Sequence, residues 1–165
     1  MNDEIRNDEE TPREPEVTTL MPDDSEGFRL AERAAYCLLT LKAEDVVILD
    51  LRNLSDVCDF FVLGSGAADV QVKAMAKRVR DGLFEVGQKP VGYEGESEGR
   101  WILLDFVDVV VHALKPEVRE YYQLERLWGD AGVMPVGEDH LDDAGFKERH
   151  PDLAPDSADS VDEDR

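Results

Sequence analysis

Cysteine and histidine are scarce in this chain, and neither residue type is spaced as a set of metal ligands. The 165 residues include two cysteines, Cys37 and Cys58, and three histidines, with no C-x-x-C or H-x-x-x-H motif. A disulfide framework or a structural zinc site is therefore not expected. The two cysteines are interpreted as reduced thiols in an apolar core, and the sequence indicates no cofactor.

Long apolar runs are also missing. No stretch approaches the roughly 18 consecutive apolar residues that a membrane-spanning helix needs. The acidic first residues do not resemble a signal peptide or a transit peptide. These absences predict a cytoplasmic protein with no membrane partner.

Basic residues are outnumbered, and the imbalance is concentrated at both ends of the chain. Lys and Arg total 18 against 39 Asp and Glu, which gives a formal net charge of -21. Residues 1–27 carry 10 acidic and 2 basic side chains, and residues 130–165 carry 12 and 3. Because phosphate binding depends on Lys and Arg, no direct sequence-specific nucleic-acid partner is expected. A basic protein surface is the expected partner, since complementary charge steers association.

The distribution of apolar residues predicts one folded domain between two disordered tails. Residues 1–27 and 132–165 contain too few apolar side chains to offset the entropy cost of ordering them. The folded domain is therefore expected to span residues 28–131. Three apolar residues of the second tail are expected to make weak contacts with it: Val133, Met134 and Phe146.

Hydrophobic periodicity in the middle of the chain predicts helices mixed with strands. Apolar residues at helical spacing predict helices over 28–42, from a Ser65 cap to a Gly87 stop, and from Pro116 to Gly129. β-Branched and aromatic runs predict strands over 46–51, 59–66, 89–96, "RWILLDF" and "DVVVHAL", with the last two joined as a hairpin. The order α-β-β-α-β-β-β-α predicts an α/β fold, a layered α-β-α domain with a mixed β-sheet.

The hairpin is expected to have one mixed face and one apolar face, because side chains alternate along a strand. A tight turn at Phe106–Val107 pairs Asp105 with Asp108, Leu103 with Val110 and Trp101 with His112. All six of those residues then share the mixed face, which is expected to be partly solvated. The opposite face is wholly apolar and must meet the core: Ile102, Leu104, Val109 and Val111. Val107 fits such a turn poorly, since β-branched residues resist positive φ, and a longer turn shifts the pairing.

The mixed face has the composition of a protein-binding patch, with an aromatic side chain beside aliphatic and acidic ones. Tyr122 and Glu125, on the following helix, are expected to extend it, because tyrosine is a favoured binding anchor. Structural roles compete with this interpretation: Trp101 packed beneath a helix, His112 as a hydrogen-bonded sheet residue, and the aspartates as turn carboxylates. Two aromatic residues on the apolar side of that helix are expected in the core instead: Tyr121 and Trp128.

An enzyme is the competing interpretation, but no catalytic set is recognisable. Gly-Ser-Gly at 64–66 lies between a strand and a helix, where amides can bind phosphate, yet neither G-K-[ST] nor a third glycine follows. The order of elements also resembles the nucleotidyltransferase fold, whose enzymes hold metal with two or three carboxylates. The available acids are Glu94, Glu96, Asp105 and Asp108. The protein is therefore not expected to be an enzyme, and a nucleotide-binding or nucleotidyltransferase-like activity near Ser65 is the alternative.

Two runs of sequence resemble the ribosomal silencing factor (Iojap-like) family: "DVVILDLRNLSDVCDFFVLGSGAADVQVKAMAKRV" and "GRWILLDFVDVVVHALKPEVREYYQLERLWGDA". The resemblance covers residues 28–131. Its most specific parts are the W-[IV]-L-L-D-x-x-D-V-V-V-H block and the closing "EVREYYQLERLWGDA". The family usually has glycine where this chain has Val107.

The resemblance implies a nucleotidyltransferase-like fold without that activity. It implies docking on the large ribosomal subunit through large-subunit ribosomal protein fourteen, which blocks association with the small subunit and represses translation. A link to large-subunit maturation is also implied. Trp101, Asp105 and Tyr122 match the family's docking surface. An exposed apolar patch of this kind further predicts weak pairing of two copies.

Overall fold

The computed structural model describes residues 18–153, which form a six-stranded mixed sheet with helices on both faces. The strands are β1 (Glu44–Asp50), β2 (Phe60–Ser65), β3 (Gly92–Glu94), β4 (Trp101–Asp105), β5 (Val109–Leu114) and β6 (Gly132–Pro135). The helices are α1 (Glu26–Thr40), α2 (Asp69–Phe84), α3 (Pro116–Tyr122), α4 (Leu124–Leu127), α5 (Glu138–Asp142) and α6 (Ala144–Arg149), followed by a 3-10 turn at Pro151–Leu153. None of the helices between residues 18 and 153 has the length and hydropathy needed to span a lipid bilayer.

The strand order in the sheet is β3-β4-β5-β2-β1-β6. β2 and β5 run parallel, and every other neighbouring pair is antiparallel. β3, which lies within the strand predicted over 89–96, is at the edge of the sheet next to the β4–β5 hairpin. The predicted α/β fold with a mixed sheet is confirmed.

Local sequence signals set several of the helix boundaries. Ser25 caps α1 through its Oγ, and Gly87, with φ of 81°, ends the turn after α2 as predicted. Ser65 does not cap α2, which corrects the prediction. The N-cap is Ala68, and Ser65 Oγ instead accepts a hydrogen bond from Arg119 Nη1 at 3.0 Å.

One face of the sheet is covered by α1 and α2 and forms the main core. The hairpin contributes five completely buried residues to it: Ile102, Leu104, Val109, Val111 and Ala113. The first four are the residues predicted for the apolar face. Burying an aliphatic side chain of this size contributes about 2 kcal/mol, so this face fixes which side of the hairpin points inward.

The other face of the sheet is only partly covered. α3, α4 and the loop after them bury Val118, Leu124 and Ala131 against it. Trp101 and Leu103, on β4, pack at the margin of this second cluster and remain partly exposed. The fold is therefore layered as predicted, with a full helical layer on one face and a partial one on the other.

Both cysteines lie in the apolar interior as free thiols, which confirms their predicted role. Burial raises the pKa of Cys37 and of Cys58 to about 11. Each side chain is therefore a protonated, weakly nucleophilic thiol at neutral pH.

The segment after residue 131 is ordered as far as residue 153, which corrects the prediction of a disordered tail from 132 onward. β6 pairs antiparallel with β1, and Phe146 of α6 packs against Tyr36 of α1 with ring centroids 6.2 Å apart. Met134 and Phe146 are 6% and 2% exposed, so they are core residues rather than weak contacts. Residues 1–17 and 154–165, the rest of the predicted tails, lie outside the described residues.

A buried carboxylate fixes this segment to α1. Glu32, with 0% exposure, accepts hydrogen bonds from Arg149 Nε and Nη2 at 2.7 and 2.9 Å. The Nε2 atoms of His140 and His150 lie 2.6 and 3.1 Å from its two oxygens. We call these four residues the C-terminal clamp. Burial by itself raises the pKa of Glu32, but these hydrogen bonds outweigh that effect and hold the pKa far below its usual value.

The predicted helix from Pro116 to Gly129 is two short helices. Gln123 adopts a left-handed conformation, φ 47° and ψ 57°, between α3 and α4. Tyr121 and Trp128 were predicted to be buried because one continuous helix would place both on its apolar side. The break at Gln123 interrupts that apolar side. Tyr121 is 81% exposed, so its expected place in the core is wrong, whereas Trp128 is half-buried.

β4 and β5 pair two residues away from the predicted register. The observed pairs include Asp105–Val110, Leu103–His112 and Trp101–Leu114. Because side chains alternate with a period of two, a shift of two residues leaves every strand residue on its predicted face. Asp108 is the exception, since it lies in the turn rather than opposite Asp105.

The longer turn is tightened around Val107, which has φ of 75°. The Asp108 N–H donates to the Phe106 carbonyl at 3.0 Å, which closes a γ-turn. Asp105 Oδ1 accepts the Val107 N–H at 2.8 Å and supports the same turn. A β-branched residue at positive φ is strained, typically by about 1–3 kcal/mol.

The Val107→Gly variant is expected to increase the free energy of unfolding by about 1 kcal/mol. Glycine adopts positive φ without strain, and this gain exceeds the roughly 0.5–1 kcal/mol of extra chain entropy that glycine loses on folding. Urea denaturation of both proteins measures the difference. Val91→Gly is the matched control, since Val91 is also exposed but has no positive φ. If both variants lose stability equally, the turn is not strained.

Candidate docking surface

Six aromatic rings form a continuous series across the partly covered face of the sheet. We call it the aromatic ladder, and its members in spatial order are Trp128, Phe61, His112, Trp101, Tyr122 and Tyr121. Successive ring centroids are 6.0, 4.6, 5.9, 4.8 and 4.9 Å apart. Offset and edge-to-face contacts at these separations are favourable. The ladder begins at the partly buried Trp128 and Phe61, passes through the buried His112 and ends on the surface, where Tyr122 is 52% exposed.

A hydrogen bond orients the tryptophan in the middle of the ladder. Trp101 Nε1–H donates to His112 Nδ1 at 3.1 Å. An indole N–H is only a donor, so His112 Nδ1 must accept and the neutral ring carries its proton on Nε2. Burial lowers the pKa of His112 to about 4, so this neutral form prevails at pH 7. Within residues 18–153, His112 Nε2 has no hydrogen-bond partner.

His112 therefore supports the surface from beneath and does not itself reach a partner. It is 3% exposed, and its ring packs edge-to-face with Phe61. His112 is therefore a hydrogen-bonded sheet residue, as the competing interpretation expects. Its hydrogen bond also holds the indole of Trp101 in place. The sequence-predicted binding role of His112 is in this sense indirect.

An acidic rim and a shallow hollow adjoin the exposed end of the ladder. Glu94 lies opposite Leu103 in the β3–β4 pair and so shares its face, and partly buried Asp105 lies two residues further along β4. A hollow of about 290 Å³ opens between the ladder and the loop before β4, lined by Gly95, Glu98, Arg100, Trp101, Val118 and Tyr122. The arrangement has the size and composition to receive a side chain of another protein.

The structure brings together four of the seven residues predicted to bind a partner. Trp101, Leu103 and Asp105 share one face of β4, and Tyr122 packs on Trp101. Asp105 also has the competing role of a turn carboxylate, because it caps the Val107 N–H.

The structure places Asp108 and Glu125 apart from this group. Asp108 borders a cavity of about 370 Å³ beside α1, on the other side of the sheet, because the longer turn removes it from the strand. Glu125 forms an ion pair with Arg119 at 2.7 Å and borders a separate cavity of about 380 Å³ with Ser65. The break at Gln123 separates the helix of Glu125 from that of Tyr122.

Sequence reasoning missed three residues of this surface. Phe61 joins the ladder because β2 pairs with β5 in parallel, which places it beside Val110. Glu94 joins the rim through the β3–β4 register, and Tyr121 extends the ladder because the last helix is broken. Alternation along "DFFVLG" indicates the face of Phe61, but only the order of the strands shows which neighbours it has.

The alternative of a nucleotidyltransferase-like enzyme needs acidic side chains gathered near Ser65, and the structure does not bring them together there. Ser65 lies beside Leu114 at one end of β5, while Asp105 lies at the far end of β4, about 13 Å along the strand from Trp101. Glu94 is on β3, separated from the strand of Ser65 by β4 and β5. Between residues 18 and 153, no group of three or more His, Cys, Asp or Glu side chains is arranged so that it could hold a metal ion.

Stability is expected to fall between about pH 6.5 and pH 4 because of His112. The unfolded imidazole binds a proton in this range, whereas burial lowers the folded pKa from 6.5 to about 4. Acid therefore favours the unfolded state, by about 3 kcal/mol over the whole interval at 1.36 kcal/mol per pH unit. Urea denaturation at both ends of the interval measures the loss, which the His112→Phe variant should reduce by that amount.

The matched control for this measurement is Trp101→Phe, which removes the hydrogen bond but keeps the titratable ring. It should retain the acid-dependent loss of stability. An unchanged pH dependence in His112→Phe would mean that other groups cause the loss.

Comparison with known proteins places these features in a family. The family model described as "Ribosomal silencing factor during starvation" matches residues 22–164. The ribosomal silencing factor of Bacillus subtilis is 44% identical over 95 residues, which cover 58% of this chain and 80% of that protein. The chloroplast protein Iojap of Zea mays is 32% identical over 120 residues, 71% of this chain and 51% of that protein.

The fold is also similar to that of a solved structure. A crystal structure of a protein from Chromobacterium violaceum is similar with a TM-score of 0.63 and 38% identity, and the match covers 68% of this chain and 92% of that one. The match of the family model over residues 22–164 includes the hairpin, the ladder and the C-terminal clamp. This chain therefore belongs to the ribosomal silencing factor family.

Proposed function

We propose that this protein docks on the large ribosomal subunit through large-subunit ribosomal protein fourteen. The bound protein then blocks association with the small subunit and so represses translation in the cytoplasm. Family membership supplies the ribosome as the partner. The observation that supports this site is the half-exposed aromatic ladder, set on a hairpin whose other face is completely buried.

The exposed end of the ladder supplies the binding anchors. Trp101 and Tyr122 stack with centroids 4.8 Å apart and border the hollow of about 290 Å³. Aromatic side chains held in place before binding lose little entropy on association, and such residues dominate interface energies. The hydrogen bond from Trp101 to His112 adds to this preorganisation.

The charge of the rim favours a protein partner over RNA. Glu94 and Glu98 place negative charge beside the anchors, Asp105 extends it along β4, and Arg100 is the one cation that lines the hollow. A basic ribosomal protein attracts this rim, whereas the phosphates of neighbouring ribosomal RNA repel it. The rim therefore restricts binding to a protein patch on the subunit surface.

The mechanism requires no bond-making chemistry and no cofactor. A small body that occupies part of a large interface prevents association by excluded volume. Binding of the factor and of the small subunit is then mutually exclusive, so each weakens the other through competition.

Sedimentation of purified ribosomal subunits through sucrose gradients tests the proposal. Protein added before mixing should migrate with the large subunit and keep the two subunits separate. A photo-crosslinking amino acid in place of Tyr122 should form an adduct with ribosomal protein fourteen, and the same probe in place of Phe84, on α2, should not. Unchanged formation of whole ribosomes at saturating protein would contradict the blocking mechanism. Binding without blocking would instead indicate a maturation factor that leaves before the subunits join.

Weak pairing of two copies is a second use of the same surface. Tyr121, Tyr122 and Leu127 are exposed by 81%, 52% and 70%, which is unusual for large apolar side chains. Analytical ultracentrifugation over a range of protein concentrations measures the pairing. It should disappear in the Tyr122→Ala variant if the docking surface is also the pairing surface.

A further inference from the structure

A row of cations follows the outer side of α2, in a chain that is otherwise strongly acidic. Lys73, Lys77 and Arg80 are spaced by four and three residues, so they lie in line on one side of the helix. Phe84, 59% exposed, continues the same line. We call these four residues the basic row. The opposite side of α2, with Val72, Met75 and Val79, is buried in the core.

The cations of the basic row have few partners in the described part of the chain. Between residues 18 and 153, Lys73, Lys77 and the nearby Lys89 form no ion pair. Arg80 forms an ion pair only with its neighbour Asp81, at 3.5 Å, and its guanidinium lies 5.8 Å from the centre of the Tyr93 ring. The net charge of -21 makes such an unpaired cluster of cations unusual in this protein.

The row ends at a hollow of about 310 Å³. It is lined by two cations, one acid and three uncharged residues: Arg80, Lys89, Asp81, Phe84, Gln88 and Pro90. Lys89 Nζ lies 5.5 Å from the centre of the Phe84 ring, so a cation and an aromatic face converge there. The hollow therefore offers positive charge beside an apolar surface.

The described chain ends next to this hollow. Asp152 forms an ion pair with Arg33 at 2.8 Å, and Arg33 Nε donates to the carbonyl of Gly82 in α2 at 2.9 Å. Asp152, one residue before the end of the described chain, therefore lies near the C-terminal end of α2. Gln88 borders both the cavity that contains Asp152 and the hollow at the end of the basic row.

We propose that residues 154–165 bind along the basic row of the same molecule. The sequence "APDSADSVDEDR" has five acidic residues and one basic residue. Twelve residues extend to about 40 Å, whereas the row from Lys73 to Phe84 is about 16 Å long. The segment is therefore long enough to reach every cation of the row from its exit point.

Tethering favours this occupant over the other anions that the row could attract. A short linker gives an effective concentration in the millimolar range, so weak individual ion pairs suffice. The acidic residues 1–17 are a poorer candidate, since residue 18 enters beside Val133 of β6, at the opposite edge of the sheet from β3. The bound acidic segment would keep RNA phosphates away from the basic row. It would thereby prevent non-specific RNA binding by these cations.

Neutralising the segment in the full-length chain tests this inference. The variant carries Asp156→Asn, Asp159→Asn, Asp162→Asn, Glu163→Gln and Asp164→Asn. The matched control neutralises five acids of the other terminus: Asp3, Glu4, Asp8, Glu9 and Glu10. Amide NMR shifts of Lys73, Lys77, Arg80 and Phe84 should change in the first variant and not in the control. Raising salt from about 50 mM to about 500 mM should remove the difference from the unmodified protein, because exposed charges are then screened.

Binding to fluorescent polyuridine RNA supplies a second measurement. The first variant should bind about tenfold more tightly than the unmodified protein at low salt, and Lys77→Gln with Arg80→Gln should abolish that gain. Shifts that appear only in the control variant would assign the row to residues 1–17 and overturn the inference. Equal RNA binding with and without the acids of the segment would also overturn it, by showing that RNA reaches an unoccupied row.

Discussion

Replacing Tyr122 with alanine is expected to weaken binding to the large ribosomal subunit about 30-fold or more. Tyr122 is half-exposed, stacks on Trp101 and borders the hollow beside it. Truncating a central aromatic anchor typically costs at least about 2 kcal/mol of binding free energy, which corresponds to that factor. Co-sedimentation with purified large subunits over a range of protein concentrations measures the change.

The fold of the Tyr122→Ala variant should remain intact, because the side chain lies outside both buried clusters. Trp101→Ala should weaken binding at least as much but also lower stability, since its indole is partly buried and hydrogen-bonded to His112. Phe84→Ala is the matched control, because Phe84 is exposed to a similar degree on the other side of the sheet. Equal binding by the Tyr122 and Phe84 variants would remove the ladder from the docking surface.

The Glu32→Gln variant is expected to lose about 3–5 kcal/mol of unfolding free energy. Glu32 is completely buried and receives hydrogen bonds from Arg149, with His140 and His150 also in contact. Removing one partner of a buried ion pair leaves an uncompensated charge in the interior. Urea denaturation measures the loss, and limited proteolysis should show earlier cleavage between residues 132 and 153.

Two further variants separate the buried charge from general effects of losing a carboxylate. Glu85→Gln removes an acid that pairs with Arg33 but is itself 60% exposed, and it should cost less than about 1 kcal/mol. Replacing both partners, as Glu32→Leu with Arg149→Met, should cost less than Glu32→Gln alone, because no charge is then left unpaired. A loss in Glu32→Gln no larger than in Glu85→Gln would show that the clamp does not stabilise the fold.

The hairpin shows why the faces of strands were predictable and their register was not. The assignment of Trp101, Leu103 and Asp105 to one face rests on alternation, which a shift of two residues does not alter. The register depends on the turn, where Val107 adopts a positive φ that its side chain disfavours. Surrounding hydrogen bonds impose that conformation, and no propensity of valine indicates it.

The C-terminal segment was predicted incorrectly because its stability comes from distant partners. Glu32 and His140 are 108 residues apart in sequence. Few apolar side chains of this segment are buried, so its composition resembles that of an unstructured tail. The burial of Met134, Val136 and Phe146 outweighs that composition, together with the buried hydrogen bonds of the clamp.

The docking surface was predictable to the extent that it lies on one local element. Trp101 and Asp105 follow from the pattern of a single strand, and Tyr122 from its position off the apolar stripe of the predicted last helix. Phe61 depends on the parallel pairing of β2 with β5, which joins residues about fifty positions apart. Asp108 and Glu125 were misplaced by a turn and by a helix break, both of which depend on left-handed backbone conformations.

The C-terminal clamp also constrains the order in which a newly synthesised molecule can mature. Glu32 belongs to the first helix of the described chain, whereas its partner Arg149 ends α6 and its partner His150 directly follows that helix. Before Arg149 is synthesised, the apolar side of α1 can pack against the sheet, but the Glu32 carboxylate has no ion-pair partner. The helical layer therefore cannot close around Glu32 until residues 149 and 150 have been synthesised. A product that stops before residue 149 keeps the docking hairpin but leaves the Glu32 carboxylate on α1 without its Arg149 partner, so its folded state should be less stable.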